Sequence, residues 1–119
     1  MEVLLDSNFI ISCVKKRIDF ITQLEEQGFK VLVPLEVYQE LKDLKLKLSR
    51  NDRIAIDTAF EILDSKAIKK MKLGNDSVDR GLISKGKEGF YIATLDNAIR
   101  NEVPNRIIIF DAQKRIGVE

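Results

Sequence analysis

The chain has no histidine and no tryptophan, and only one cysteine and two prolines in 119 residues. Without an imidazole there is no base for a serine or cysteine hydrolase triad and no His-based zinc site. Catalysis must then rest on carboxylates, lysine, hydroxyls or a metal. Cys13 stands alone, so no internal disulfide can form. It lies among Ile10, Ile11 and Val14 and reads as a small core residue, since nothing is present to activate it. No apolar run approaches a membrane span. Glu2 and Asp6 interrupt the start, so no secretory signal pattern is present. A cytoplasmic protein without a membrane role is expected. Neither sign of charge is in excess: 20 Lys and Arg against 19 Asp and Glu leave +1, so global electrostatics does not select nucleic acid as a partner.

What is present is the composition of an ordinary globular domain, and the length predicts one domain over residues 1–119 with a single core. Strands and helices alternate along it. Glu2 to Leu5 reads as a strand, followed by helical pattern through Val14 and again from about Ile18 to Gln27, with Gly28 as the stop. Lys30 to Val33 is a short buried strand ended by Pro34, which suits the first turn of a helix. That helix carries Val37, Leu41, Leu44 and Leu48 on one stripe. Ser49 to Asp52 is a break with capping chemistry, and Ile56, Ala59, Phe60 and Leu63 mark the next helix. Lys66 to Lys72 fits an edge strand or a loop. Gly74-Asn75 signals a turn before a helix from about Asp76 to Lys85. Phe90 to Ala93 reads as a strand, Thr94 to Glu102 as a short helix, and Arg106 to Phe110 as the last strand. This alternation predicts an α/β fold of three layers, with a central, mainly parallel sheet of four or five strands covered by helices on both faces.

The acids follow that pattern. Asp6 ends the first strand, Asp96 follows Tyr91-Ile92-Ala93-Thr94-Leu95, and Glu36 and Glu40 lie on the helix after Pro34. Asp76 and Asp79 open the helix before the Phe90 strand. All but the last pair lie at or just past the C-terminal ends of strands, the edge where open α/β sheets bind ligands. Each also has a local reading. Asp76 reads best as a helix cap, Glu36 as a surface acid, and Asp6 equally well as a cap or a ligand. If the strands of Asp6 and Asp96 are neighbours, they lie about 4.8 Å apart. Two carboxylates that close repel by roughly 3 kcal/mol at an effective dielectric near 20. A bound cation removes that cost. An all-oxygen donor set suits Mg²⁺ or Mn²⁺, which keep waters and take substrate phosphate, the arrangement for phosphodiester hydrolysis. Two basic stretches read first as solvated faces and could also meet nucleic acid: Lys42, Lys45, Lys47, Arg50 and Arg53, and Lys66, Lys69, Lys70 and Lys72. Tyr38 or Phe90 could stack a base.

Four motifs in order resemble the PIN domain family of small Mg²⁺/Mn²⁺-dependent ribonucleases. They are Leu4-Leu5-Asp6-Ser7-Asn8, the stretch from Val33-Pro34 to Glu40-Leu41, Asp79-Arg80-Gly81-Leu82-Ile83, and Ala93-Thr94-Leu95-Asp96. The resemblance spans essentially the whole chain. It implies a catalytic, metal-binding quartet of Asp6, Glu40, Asp79 and Asp96, with Ser7, Asn8 and Thr94 in support and Asp76 as a substitute or assistant for Asp79. It further implies hydrolysis of single-stranded RNA, with self-association into a dimer. The family contains toxins, which pair with antitoxins, and ribosomal-RNA-processing factors, which work with ribosome-assembly partners. The Lys-rich stretch looks more like the archaeal and eukaryotic processing branch. Two rivals stand beside this reading. One is a non-cleaving fold member that binds RNA or a partner. The other is a receiver-type phosphoacceptor domain, which needs an acidic pair after the first strand where this chain has Asp6-Ser7-Asn8.

Overall fold

The first apolar run becomes a central strand. In the computed structural model, which describes residues 1–74 and 76–119, β1 (Glu2–Leu5) lies between β2 (Lys30–Pro34) and β4 (Tyr91–Ala93), parallel to both. β3 (Lys69–Met71) extends the sheet beyond β2, and β5 (Arg106–Phe110) extends it beyond β4, again in parallel. β6 (Arg115–Val118) pairs antiparallel with β5, giving the order β3-β2-β1-β4-β5-β6. The sheet therefore has six strands, not four or five. The additional strand is β6, reached through a short 3₁₀ turn and Lys114 in the left-handed region at φ 51°.

The inner strands β1, β2 and β4 are apolar runs because both faces are covered, and their period of two divides the core. Val3, Leu5, Val31, Val33 and Ala93 face one cluster with Phe9, Ile10, Leu24, Leu41, Ile56 and Leu63. Those partners come from α1 (Ser7–Lys15), α2 (Phe20–Glu26), α3 (Leu35–Lys45) and α4 (Arg50–Ser65). Leu4, Leu32 and Ile92 face a second cluster with Leu73, Leu82, Ile99 and Val103. Leu82 and Ile99 lie on α5 (Val78–Lys87) and α6 (Asn97–Arg100). Cys13 is fully buried in the larger cluster, and burial pushes its thiol up to about 12. It is a core residue.

Several helices are shorter than their sequence patterns. The helix after Pro34 stops at Lys45, so Leu48 sits half-buried in the turn before α4. The segment from Thr94 to Glu102 forms only the four residues of α6, because Thr94 and Leu95 are held as a loop by Asn8. α5 begins at Val78 with Ser77 as its cap: the Ser77 side chain accepts from the Arg80 N–H at 3.2 Å. Asp76 is therefore not the cap; it precedes Ser77 in an exposed bend. Of the expected Gly74-Asn75 turn, Gly74 has φ 76° and Asn75 lies outside the described residues.

α5 crosses from β3 to β4 over the face of β1, and it can do so closely because Gly86 has no side chain. A Cβ at Gly86 would lie 2.8 Å from Val103 Cβ and 3.2 Å from Ile92 Cγ1. Gly86→Ala is expected to lower stability by about 1–3 kcal/mol despite the better helix propensity of alanine, because the core must be overpacked. A lower urea midpoint with an unchanged slope would record it.

Candidate active site

The chain moves outward from β1 to β2 and β3, then returns across the sheet to β4 on the other side of β1. The C-terminal ends of β1 and β4 thus flank a topological switch point, where an open α/β sheet leaves a crevice. Asp6 and Thr94 are the first residues past those two strands, and the Asp6 N–H donates to the Ala93 carbonyl at 2.9 Å.

Asp6 is 4 % exposed, unusual for an aspartate with no cationic partner. Its carboxylate is held at both oxygens. Oδ1 accepts from the Ser7 N–H at 2.8 Å, and Oδ2 accepts from the Thr94 hydroxyl at 2.7 Å. Asp6 is also the N-cap of α1, so the capping and site readings coincide in one residue. Burial raises its pKa above the ordinary carboxylate value; the Thr94 and Ser7 hydrogen bonds oppose this, and the negative charges of Glu40 and Asp79 add to it. Asp6 is thus a buried acid whose charge is disfavoured by burial and by two neighbouring acids.

Ser7 joins two of these acids. Its N–H serves Asp6, and its hydroxyl donates to Glu40 Oε1 from α3. Glu40 is half-buried. Asp79 stands exposed in the first turn of α5, close enough to raise the Asp6 pKa. Asp96 is half-buried and caps α6, its Oδ1 accepting the Ala98 N–H at 2.9 Å. Its own N–H donates to Thr94 Oγ1 at 3.1 Å, so Thr94 ties Asp96 to Asp6 through one hydroxyl. Asn8 Oδ1 accepts the Leu95 N–H at 3.0 Å and fixes the same loop on α1.

Ser7 thereby links Asp6 to Glu40, Thr94 links Asp6 to Asp96, and Asp79 lies near enough for its charge to act on Asp6. Among the described residues, no group of three or more His, Cys, Asp or Glu side chains closes tightly enough to hold a metal ion. The acids line the crevice separately. The donor chemistry suits a hard divalent cation: every donor is oxygen, and the buried member is flanked by like charges that a cation would offset.

One solved structure superposes on nearly the entire chain. It is that of the PIN domain endonuclease Utp24, with a TM-score of 0.75, 19% sequence identity, and coverage of 99% of this chain and 90% of that one. The fold is that of a PIN domain. No family model matches the sequence, and no curated protein matches it.

The remaining candidates sit around this PIN core. Lys42 and Lys45 end α3, Lys47 lies in the turn, and Arg50 and Arg53 open α4. Lys45 pairs with Asp57 at 2.6 Å, while Lys42, Lys47, Arg50 and Arg53 are exposed. Lys66, Lys69, Lys70 and Lys72 border the sheet at β3, and among the described residues none of the four is in an ion pair. Tyr38 is not a free stacking platform. It is 7 % exposed, its ring packs on Phe60 and lies under Lys70 Nζ, and its hydroxyl donates to Asp64 at 3.1 Å. Glu36 is more than a surface acid: its carboxylate accepts backbone N–H groups from Leu73 and Gly74. Nothing local in the sequence marks that role, because the partner backbone lies 37 residues downstream.

Proposed function

We propose that the protein is a metal-dependent endoribonuclease that hydrolyses phosphodiester bonds of single-stranded RNA at the crevice between β1 and β4. The observation that carries this reading is Asp6: a buried carboxylate at the switch point, held at both oxygens, with Glu40 and Asp79 as charged neighbours. The structural likeness to a PIN domain endonuclease supports it.

Asp6, Glu40, Asp79 and Asp96 would hold Mg²⁺ or Mn²⁺, which when bound supplies positive charge against the charge developing on phosphorus-bound oxygens. The chain's own residues prepare the site. Ser7 and Thr94 fix the Asp6 carboxylate, leaving the remaining lone pairs of both oxygens directed by that geometry. Ser7 orients Glu40 as well. Asn8 and Thr94 hold the Leu95–Asp96 backbone, so the position of Asp96 depends on α1 and not on the loop alone. The exposed lysines and arginines around residues 42–53 and the unpaired lysines at β3 would carry the RNA backbone.

The test is a panel of end-labelled single-stranded RNAs incubated with Mn²⁺ or EDTA, using the wild type and Asp6→Asn. Metal-dependent cleavage by the wild type alone is the expected result. RNA binding without cleavage in both proteins would replace it with the non-cleaving reading. Growth arrest on expression, relieved by Asp6→Asn, would mark a toxin; normal growth would favour RNA processing.

A further inference from the structure

We propose that Glu36 is a positioning residue for Asp79, acting through the Leu73–Gly74 backbone and Gly81. The inference rests on reading Asp6, Glu40, Asp79 and Asp96 as one cation site, and it concerns a residue outside that set.

Glu36 lies in the first turn of α3, one helical turn before Glu40. Its carboxylate receives the Leu73 N–H at 3.0 Å on Oε1 and 3.1 Å on Oε2, and the Gly74 N–H at 3.1 Å on Oε2. Two successive backbone N–H groups converging on one carboxylate form an anion-holding concavity. Gly74, at φ 76°, supplies the left-handed backbone beside it. Burial works against the Glu36 charge, but these amides outweigh it and hold the group below the ordinary carboxylate range. The clamp is thus made by the charged form. Both Glu36 oxygens accept backbone N–H groups, which separates it in role from Glu40.

What the clamp holds is the support of α5. Leu73 is 6 % exposed and belongs to the smaller core cluster. A Cβ placed on Gly81 would lie 2.8 Å from both Leu73 Cβ and Leu73 Cδ1, so α5 rests directly on that side chain. Gly81 is two residues after Asp79 in α5. The contacts therefore run from the α3 carboxylate to the Leu73 backbone, from the Leu73 side chain to the Gly81 surface, and along less than one helical turn to Asp79. Asp79 lies on the only helix of the four that does not directly follow β1, β2 or β4. The Glu36 clamp on the Leu73 backbone links that helix to α3. The same helix, α3, then sets two acids: Glu40 by carrying it and Asp79 by holding its support.

The test uses Glu36→Gln and the full chain, with Glu36→Asp as a second variant should the first fail to fold. Amide hydrogen exchange is measured at Leu73 and Gly74, and Mn²⁺ alone is titrated by calorimetry. In Glu36→Gln both amides should exchange at least about tenfold faster, and Mn²⁺ affinity should fall about 10–100-fold, the range for loss of a group that orients a ligand. With RNA, kcat should fall while KM stays near the wild-type value, since no substrate contact is removed. Unchanged amide exchange, or faster exchange with wild-type Mn²⁺ affinity, would overturn the proposal. A wild type that binds Mn²⁺ but cleaves no RNA removes the nuclease reading and leaves the clamp to be judged on exchange and Mn²⁺ affinity.

Discussion

Asp6→Asn is expected to abolish RNA cleavage and, without divalent metal, to raise the melting temperature. The change is nearly isosteric, and the surrounding groups can satisfy an amide. The new Oδ1 can accept the Ser7 N–H, and the new NH₂ can donate to Thr94 Oγ1. The Thr94 proton can then turn to Asn8 Oδ1, which already lies at 3.3 Å. What disappears is a charge that burial and two neighbouring acids disfavour. Because the folded pKa of Asp6 is raised, the native state binds its proton more tightly than the unfolded chain does. Wild-type stability therefore falls as pH rises from the unfolded carboxylate value through the raised folded one. The asparagine variant lacks that slope, so its advantage is absent at low pH, opens as pH rises, and is complete above the folded pKa of Asp6. Catalysis moves the other way. Loss of a group that organises charge at the reacting phosphate is expected to cost about 10²–10³-fold in rate, or more where the cation is lost with it. Melting curves from acid to neutral pH, beside single-turnover cleavage, check both halves. A variant less stable than the wild type at neutral pH would contradict the electrostatic account of Asp6.

Phe9→Ala is expected to be the most damaging single truncation in the core near the site. Phe9 is fully buried, three residues after Asp6, in the larger cluster with Val3, Leu5 and Ile10. It fastens the first turns of α1, the turns that present Ser7 and Asn8. Phe→Ala at such a position costs about 3–5 kcal/mol, against a total of about 5–15 kcal/mol for a domain. For a chain of this length that corresponds to a fall of roughly 12–20 °C in Tm. Metal-dependent cleavage should be lost at temperatures where the variant is still mostly folded, because Ser7 and Asn8 lose their rigid support before the sheet melts. Urea unfolding and cleavage at two temperatures would check this. A fall below about 1 kcal/mol would mean that α1 is held by other contacts.

The sequence made the inner sheet legible and its edges obscure, for a physical reason. β1, β2 and β4 are apolar runs because helices cover both faces, and such runs stand out; β5 is apolar as well, although only Ile107 of it is buried. β3 is three residues, two of them lysine, at an edge with solvent beside it. β6 has only Ile116 and Gly117 buried, and it is fixed by groups distant in sequence. The Ile116 N–H donates to Gln23 Oε1 and the Ile116 carbonyl accepts from Gln27 Nε2, both on or beside α2. No local pattern encodes those bonds. The same division holds at the site. The placing of Asp6 at the end of β1 and of Asp96 just past β4 is legible in the sequence, and the pairing of β1 with β4 links the two through Thr94. Ser77 took the cap expected of Asp76 because its side chain reaches the Arg80 N–H, a choice between neighbours that composition does not make. Glu36 looked like a surface acid because its partners, Leu73 and Gly74, meet it only in the folded sheet.

On the function proposed above, the acids at the β1–β4 switch point form one cation site built on Asp6. Calorimetric titration of Mn²⁺ into the wild type and Asp6→Asn tests it most directly, with the melting temperature of each read at saturation. The wild type should bind saturably and gain about 2.7 kcal/mol when free Mn²⁺ is a hundredfold above Kd. Asp6→Asn should show neither the binding nor the gain. Equal Mn²⁺ binding by the two proteins, or no binding by the wild type, would contradict the account.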